Sequence, residues 1–284
     1  MPHDDAPCTT ATTMRETSTS PARGECTNAS KRTAPPFEAH ALRNDYAELD
    51  GNDVVSARAA FAALDHIPRC AEPPLVAVLD SGYARTVGPL EVLPVHMIAN
   101  HRAPVAGDTF GHGTLVIDFL GALTTACRVL PVHVFDDNNE ATPASIERGI
   151  MLALEHGARV IHMSLGTRHF REGASLAASC HRAASEGVVL VASTPSLTSA
   201  SFPAVFPCVI GVAPRADDPG SAVTIVDSAK AMCTAYSPRI RRDGAVYRAA
   251  SLAAVTATAM ICEQLARVTT RGGPEPAATL RLIQ

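Results

Sequence analysis

Short runs of apolar residues alternate with alanine-rich stretches from residue 75 onward. The apolar runs have strand length, whereas the alanine-rich stretches repeat apolar residues with a helical period. The pattern predicts strands over residues 75–79, 128–134, 160–163, 188–192 and 209–212. It predicts helices over residues 114–123, 143–156, 173–186 and 251–268.

The predicted strands read as continuous apolar segments. Strands of this kind are buried on both faces, as in a parallel sheet covered by helices on either side. Since the crossovers in such sheets are right-handed, we expect an α/β fold, a three-layer, doubly wound, mostly parallel sheet with helices on both faces. Polar residues at the carboxyl ends of the strands are the first candidates for a site, because ligands bind there.

The region before residue 74 lacks this pattern. Residues 1–36 are rich in Thr, Ser, Ala and Pro, and we expect them to form a disordered tail because they cannot bury enough apolar surface. Residues 37–73 are mixed, with a helical period at residues 54–64, and we expect an arm that leads into the domain. The sequence therefore predicts a single folded domain over residues 74–284.

The charge of the chain is nearly balanced, with 24 Lys and Arg against 28 Asp and Glu and a formal net charge of -4. This balance is not typical of polybasic proteins, so we expect no nucleic-acid partner. The apolar runs are far shorter than the roughly 18 residues that a membrane helix needs, so we expect no membrane span. The first residues show no basic segment followed by an apolar one, and we therefore expect a cytoplasmic location.

No pattern in the sequence predicts a metal site or a cofactor. The eight cysteines are scattered without a C-x-x-C pair, and we expect them to be reduced and mostly buried. His96 and His101, like Cys180 and His181, lack ligand spacing. The acidic residues 136–140 resemble a calcium-binding run, but a solvated turn is the favoured interpretation. The first strand is not followed by the G-x-G-x-x-G motif that a dinucleotide site needs.

Three residues could carry chemistry. Asp80 ends the first strand, where a turn or helix-capping Asp is the alternative interpretation. His112 lies between two glycines, which let a second group approach the ring closely, and a merely packed histidine does not need this. Ser251 begins the last helix, either as an ordinary N-cap or as a nucleophile beside the first amides of the helix.

The motifs around these residues resemble those of the subtilisin-like serine peptidases, the subtilase family. Val76-Ala-Val-Leu-Asp-Ser-Gly82 is similar to the Asp motif of the family, and Gly111-His-Gly-Thr-Leu-Val116 to its His motif. Residues 146–150 and 157–166 are similar to the helix and strand of its substrate-binding edge, and residues 202–213 to a later strand. The chain order Asp, His, Ser is also that of subtilisin.

The resemblance implies a peptide hydrolase that acts on a peptide or protein substrate and needs no cofactor. Ser251 Oγ would attack the peptide carbonyl, His112 would take and return the proton, and Asp80 would orient the imidazole. An extended substrate would add as a strand to backbone groups of Ser164, Leu165 and Gly166.

The sequence also departs from the family pattern. The family normally has an Asn that donates to the oxyanion, whereas residues 192–196 read Ala-Ser-Thr-Pro-Ser, which leaves Ser196 or Thr194 as the candidate donor. The usual Gly-Thr-Ser reads Ala249-Ala-Ser251, which adds a methyl group beside the nucleophile. Thr167 stands where a second Gly is common, and it would narrow the first specificity pocket.

Two functions fit these observations. The first is a serine endopeptidase that cleaves a narrow range of peptides, such as a precursor or leader peptide. The second is a catalytically impaired relative that binds an extended peptide. About 37 residues separate the predicted tail from the first strand, too few for the folded propeptide of secreted subtilases. This favours folding inside the cell or assembly with a partner protein of a peptide-maturation pathway, and retention of all three candidate residues favours the first function.

Overall fold

The computed structural model describes residues 72–85, 88–98, 107–108, 110–168, 170–199, 201–215, 223–227, 231–242 and 245–268. The predicted tail, the helical period at residues 54–64 and all of the predicted arm except residues 72 and 73 lie outside the described residues. His101 and three of the cysteines, Cys8, Cys26 and Cys70, also lie outside them.

The main sheet is formed by the strands β1 (Leu75–Asp80), β2 (Glu91–Val92), β3 (His96–Met97), β4 (Arg128–His133), β5 (Val160–Met163), β6 (Val189–Ser193), β7 (Val209–Arg215), β8 (Val223–Asp227) and β9 (Met232–Tyr236). Two further strands, β10 (Arg239–Arg242) and β11 (Ala245–Arg248), form an antiparallel hairpin. The described helices are α1 (His112–Leu123), α2 (Pro143–Glu155), α3 (Phe170–Ser185) and α4 (Ala250–Val268).

The main sheet has the strand order β2-β4-β1-β5-β6-β7-β9-β8, and β3 also pairs with β4. All of these pairings are parallel except that of β8 with β9. The strand β1 lies between β4 and β5, with Leu79 opposite both Val132 and Met163. The carboxyl ends of these three central strands therefore meet at one edge of the sheet.

Alternate residues of β1 enter two separate hydrophobic cores. Val76 and Val78 belong to the core on one face of the sheet, which also contains apolar residues of α1 and α4. Leu75, Ala77 and Leu79 belong to the core on the other face, with residues of α2 and α3. Because both faces are covered, every residue of β1 is buried, which explains its continuous apolar sequence. The fold is the predicted three-layer α/β fold with a mostly parallel sheet.

All nine predicted elements are present, with small changes at their ends. The helix α1 begins at His112, two residues before the predicted start, and α3 begins at Phe170, three residues before. The pattern did not predict β2 and β3, which have two residues each, or the strands after residue 222. A two-residue strand is too short to show a period. The structure contains no described helix that is both long and apolar enough to cross a membrane.

Candidate active site

Asp80 is the last residue of β1, and its side chain is only 1% exposed. The backbone N–H of Ser81 donates to Asp80 Oδ1 at 2.8 Å, and the Ser81 hydroxyl donates to the same oxygen at 3.3 Å. The next residue, Gly82, has a φ of 100°, which favours glycine. A Cβ on Gly82 would also collide with the carbonyl oxygen of Gly107. The sharp turn after β1 therefore holds a buried carboxylate at the edge of the sheet.

His112 lies directly against this carboxylate. Its Nδ1 is 2.8 Å from Asp80 Oδ1 and 3.0 Å from Asp80 Oδ2. Gly111 precedes it with a left-handed φ of 75° and turns the chain into α1. The His112 side chain is 37% exposed, and its Nε2 has no hydrogen-bond partner among the described residues. One ring nitrogen is therefore fixed by a carboxylate, and the other is available to a reactant.

Asp108 fixes the loop that carries His112. Its Oδ1 accepts from the N–H groups of Phe110 at 3.1 Å and Gly111 at 2.7 Å. Its Oδ2 accepts from both the N–H and the hydroxyl of Thr114, each at 2.7 Å. The Thr114 hydroxyl in turn accepts from the N–H of Ala84, in the turn that follows Asp80. Asp108 thus satisfies backbone donors at the start of α1, which explains why the helix begins earlier than predicted.

The start of α1 also packs closely against the turn after β1. The N–H of Gly113 donates to the Ser81 hydroxyl at 2.9 Å, and a Cβ on Gly113 would collide with the carbonyl oxygen of Gly82. The two glycines beside His112 therefore have different roles: Gly111 permits the turn and Gly113 permits the close approach. Neither Asp108 nor Ser81 was predicted as a supporting residue, although Ser81 lies within the quoted Asp motif and Asp108 lies three residues before the quoted His motif.

The electrostatic surroundings favour a protonated His112. Burial opposes the charge, but the negative charge of Asp80, its hydrogen bond and the charge of Asp108 outweigh burial and raise the pKa of His112 above 6.5. His112 can therefore hold a proton received from a nucleophile, as a general base must.

Ser251 is the second residue of α4 and is buried, at 9% exposure. The helix α4 packs against α1 and against the central strands. Ala249, which stands at the usual Gly position, has no positive φ, so its methyl group creates no left-handed strain. No hydrogen bond joins Ser251 Oγ to His112 in the described part of the chain. Catalytic hydrogen bonds are often long in unliganded proteins and tighten when the substrate binds.

The segment at residues 164–166, which we call the edge segment, follows β5 directly. Since Leu79 pairs with Met163, the edge segment begins beside Asp80 at the same edge of the sheet. Ser164 is half-buried, Leu165 is buried and Gly166 is exposed. Within the described chain, these three residues have no backbone hydrogen-bond partner. The next residue, Thr167, is paired with Phe202 through two backbone bonds of 2.9 and 2.8 Å. Free backbone groups in the edge segment are therefore available to a ligand.

The two candidate oxyanion donors have different environments. Thr194 is fully buried, and its hydroxyl lies 3.2 Å from the carbonyl oxygen of Ser196 and 3.1 Å from that of Ser199. Its single proton therefore stabilises its own loop in this conformation. Ser196 is half-buried, and its hydroxyl lies 3.2 Å from the Thr198 hydroxyl and 3.0 Å from that of Ser199. All three hydroxyl groups can rotate, so Ser196 can redirect its proton more easily than Thr194.

Among the residues that the structure describes, the other sequence motifs do not converge on a second site. The acidic run forms a turn in which Asp136 Oδ1 accepts from the N–H groups of Asn138 at 2.9 Å and Glu140 at 3.0 Å. Among the described residues, no group of three or more His, Cys, Asp or Glu side chains could hold a metal ion. The five described cysteines, Cys127, Cys180, Cys208, Cys233 and Cys262, are free.

The chain matches the model of the subtilase family over residues 95–246, more than half of its 284 residues. This range contains His112, the edge segment and both candidate oxyanion donors, but neither Asp80 nor Ser251. No curated protein matches the chain.

Two solved structures have a similar fold. One is the protease domain of PatA, determined as a serine-to-alanine mutant, with a TM-score of 0.54 and 21% identity over 74% of this chain and 87% of that one. The other is PagA, a prenylagaramide maturation protease, with a TM-score of 0.53 and 22% identity over 78% of this chain and 85% of that one.

Proposed function

The chain belongs to the subtilase family, and we propose on this basis that it is a serine endopeptidase that hydrolyses peptide bonds with Asp80, His112 and Ser251. The observation that carries the proposal is the contact of His112 Nδ1 with both oxygens of the buried Asp80 carboxylate. A carboxylate in this position fixes the tautomer that leaves Nε2 free to accept a proton. Ser251 is the second residue of α4, which packs against the helix of His112.

In the proposed reaction, Ser251 Oγ attacks the carbonyl carbon of the scissile bond while His112 Nε2 takes the hydroxyl proton. The charged imidazole is stabilised by Asp80, and its proton passes to the leaving amine when the C–N bond breaks. Water, activated by the same imidazole, then releases the acyl group from Ser251. Each proton that His112 accepts is returned, so the enzyme is regenerated without a cofactor.

The oxyanion of the intermediate needs hydrogen-bond donors. The first amides of α4 have no carbonyl partner four residues back, and they carry the positive end of the helix dipole. We assign the second donor to the hydroxyl of Ser196 in preference to Thr194, whose proton is committed to its own loop. A rotating hydroxyl is less preorganised than the usual amide, and loss of one oxyanion donor lowers kcat by about 10²–10³. The proposed enzyme is therefore slow.

The proposed substrate is an extended segment of a precursor or leader peptide, bound along the free backbone of the edge segment. The fold similarity to PagA, described as a maturation protease, supports a peptide-processing role. The proposal also includes a peptidase domain over residues 74–284, a cytoplasmic location and a partner protein of the same maturation pathway.

New peptide ends test the proposed activity directly. The wild-type protein and the variants Ser251→Ala and His112→Ala are each incubated with a tryptic digest of casein, and new termini are counted by mass spectrometry. We expect new termini only in the sample that contains the wild-type protein. An equal number in all three samples would contradict the assignment, because the cleavage would then come from a contaminant or another site.

Two observations favour a second function. Ser251 Oγ has no hydrogen bond to His112 among the described residues, and the Thr194 hydroxyl bonds to carbonyl oxygens of its own loop. In this alternative the chain binds an extended peptide along the edge segment without cleaving it. Recovery of a bound, uncleaved peptide with wild-type protein that yields no new termini would support this alternative over the endopeptidase.

A further inference from the structure

His162 is a buried histidine that the proposed mechanism does not use. It lies in the central strand β5, its side chain is 1% exposed, and both of its ring nitrogens are engaged. Nδ1 is 2.8 Å from the hydroxyl of Thr258 in α4, and Nε2 is 2.6 Å from the hydroxyl of Ser164. The ring therefore connects the helix of the nucleophile to the first residue of the edge segment.

Thr258 and Ser251 lie on nearly the same face of α4. They are seven residues apart, which is close to two turns of an α-helix and about 10 Å along its axis. The face of α4 that presents Ser251 is thus fixed to the sheet, two turns further on, by the Thr258–His162 hydrogen bond. A shift of α4 along its axis would break this bond.

The hydrogen bonds also determine which way the protons point. A neutral imidazole has one N–H donor and one acceptor nitrogen. Thr258 is fully buried, and within the described chain its hydroxyl has no hydrogen-bond partner other than His162. If Nδ1 carried the proton, the hydroxyl proton of Thr258 would be left without an acceptor, which is unfavourable in a buried site. Thr258 therefore donates to Nδ1, and the proton of the imidazole is on Nε2.

An Nε2–H group donates to the Ser164 hydroxyl oxygen, so the hydroxyl proton of Ser164 is free to point elsewhere. Ser164 is half-buried and stands at the start of the edge segment, beside Asp80. We propose that His162 is a positioning residue that, held by Thr258, keeps the Ser164 hydroxyl as a hydrogen-bond donor to the peptide on the edge segment. This inference rests on the proposed function, since it assumes a peptide on the edge segment and a nucleophile at Ser251.

Two amide variants separate the two hydrogen bonds of His162. The amide of Asn reaches the position of Nδ1, so His162→Asn keeps the bond to Thr258 and loses the bond to Ser164. The amide of Gln reaches the position of Nε2, so His162→Gln keeps a donor to Ser164. Each variant is first checked for a cooperative thermal unfolding transition.

Two probes then separate edge binding from nucleophile reactivity. A tripeptidyl diphenyl phosphonate must occupy the edge segment before it reacts with Ser251, whereas an alkyl fluorophosphonate need not. The measured quantity is the ratio of the two second-order labelling rates. We expect His162→Asn to lower this ratio by about tenfold, the effect of one hydrogen bond, and His162→Gln to stay within about threefold of the wild-type value. Ser164→Ala should lower the ratio in the wild type and have no further effect in His162→Asn.

An unchanged ratio in folded His162→Asn, or an equal effect of Ser164→Ala in both backgrounds, would overturn the inference. The tautomer gives a test that is independent of activity: ¹⁵N NMR of the histidine rings should show His162 protonated at Nε2, and protonation at Nδ1 would overturn the inference. If the fluorophosphonate does not label the wild-type protein at Ser251, the proposed function fails, and the positioning role fails with it.

Discussion

The Nδ1 atom of His112 lies 2.8 Å and 3.0 Å from the two carboxylate oxygens of Asp80, a residue 32 positions earlier in the chain. The contact joins the end of β1 to the start of α1, and both are fixed by hydrogen bonds from neighbouring residues. The position of the imidazole is therefore determined by the fold before any ligand binds.

Replacement of Asp80 by Asn should reduce reactivity and change its pH dependence. The carboxylate raises the pKa of His112 above 6.5, whereas burial alone lowers it. We expect Asp80→Asn to slow fluorophosphonate labelling by about 10³–10⁴-fold, and the acid limb of the rate to move to lower pH. Labelling rates measured between pH 5 and 9 test this, with the exposed Asp137→Asn as control. An acid limb at the same pH in both proteins would contradict the role of Asp80.

Replacement of Asp108 by Asn should weaken the His112 loop. Asp108 accepts two hydrogen bonds at each carboxylate oxygen, whereas an Asn side chain has only one acceptor oxygen. If that oxygen keeps the bonds from Phe110 and Gly111, the buried N–H of Thr114 loses its partner. We expect a loss of about 1–3 kcal/mol in the free energy of unfolding, measured by urea denaturation. The exposed Glu155→Gln provides the control, and equal stability of the two variants would show that Asp108 does not hold the loop.

Substitutions at the two candidate oxyanion residues should have different effects, on stability at Thr194 and on reactivity at Ser196. Thr194→Val removes the hydroxyl that bonds to the carbonyl oxygens of Ser196 and Ser199, so we expect a loss of about 1 kcal/mol in stability. Ser196→Ala should instead slow labelling of folded protein by about 10²-fold, the effect of one oxyanion donor. Unfolding curves and labelling rates of both variants test this. A slower rate in Thr194→Val alone would reverse the assignment.

The stability of the protein should fall in mild acid because of His162. Burial, together with the charge of His112, lowers the pKa of His162 from 6.5 to about 4, although Asp80 partly opposes the change. Between these two values the unfolded chain binds a proton that the folded chain does not, so stability is lost as the pH falls through this window. At pH 5 this single group should cost about 2 kcal/mol relative to pH 7.

Urea denaturation at pH 7 and pH 5 measures this cost. His162→Gln cannot be protonated in this range, so its stability should fall by about 2 kcal/mol less than that of the wild type. Equal losses in the two proteins would show that His162 is not buried in its neutral form.

The central layers of the fold follow from the sequence because each strand there is buried on both faces. The residues of β1, for example, contribute alternately to two cores, and this leaves a continuous apolar signal. The strands β2 and β3 leave no such signal, since they are two residues long and depend on pairing with β4. The hairpin of β10 and β11 is likewise defined by pairing between its strands, which a periodic pattern does not record.

Only some residues of the candidate site could be predicted from the sequence. Asp80 and His112 were identified because glycines and a strand end mark them, and the structure places them in contact. His162 was not identified, because in the sequence it is one polar residue within an apolar strand. Its partners, Thr258 and Ser164, lie on a distant helix and in the next segment, so only the folded chain brings the three together.

Labelling of the wild-type protein with an alkyl fluorophosphonate tests the central claim most directly, since the claim is that Ser251 is a nucleophile activated by His112 and Asp80. Mass spectrometry identifies the modified residue, and Ser251→Ala and His112→Ala serve as controls. The account predicts labelling at Ser251 in the wild-type protein, none in Ser251→Ala, and a much slower reaction in His112→Ala. Absence of labelling under conditions that label a known serine hydrolase, or labelling that persists in Ser251→Ala, would contradict it.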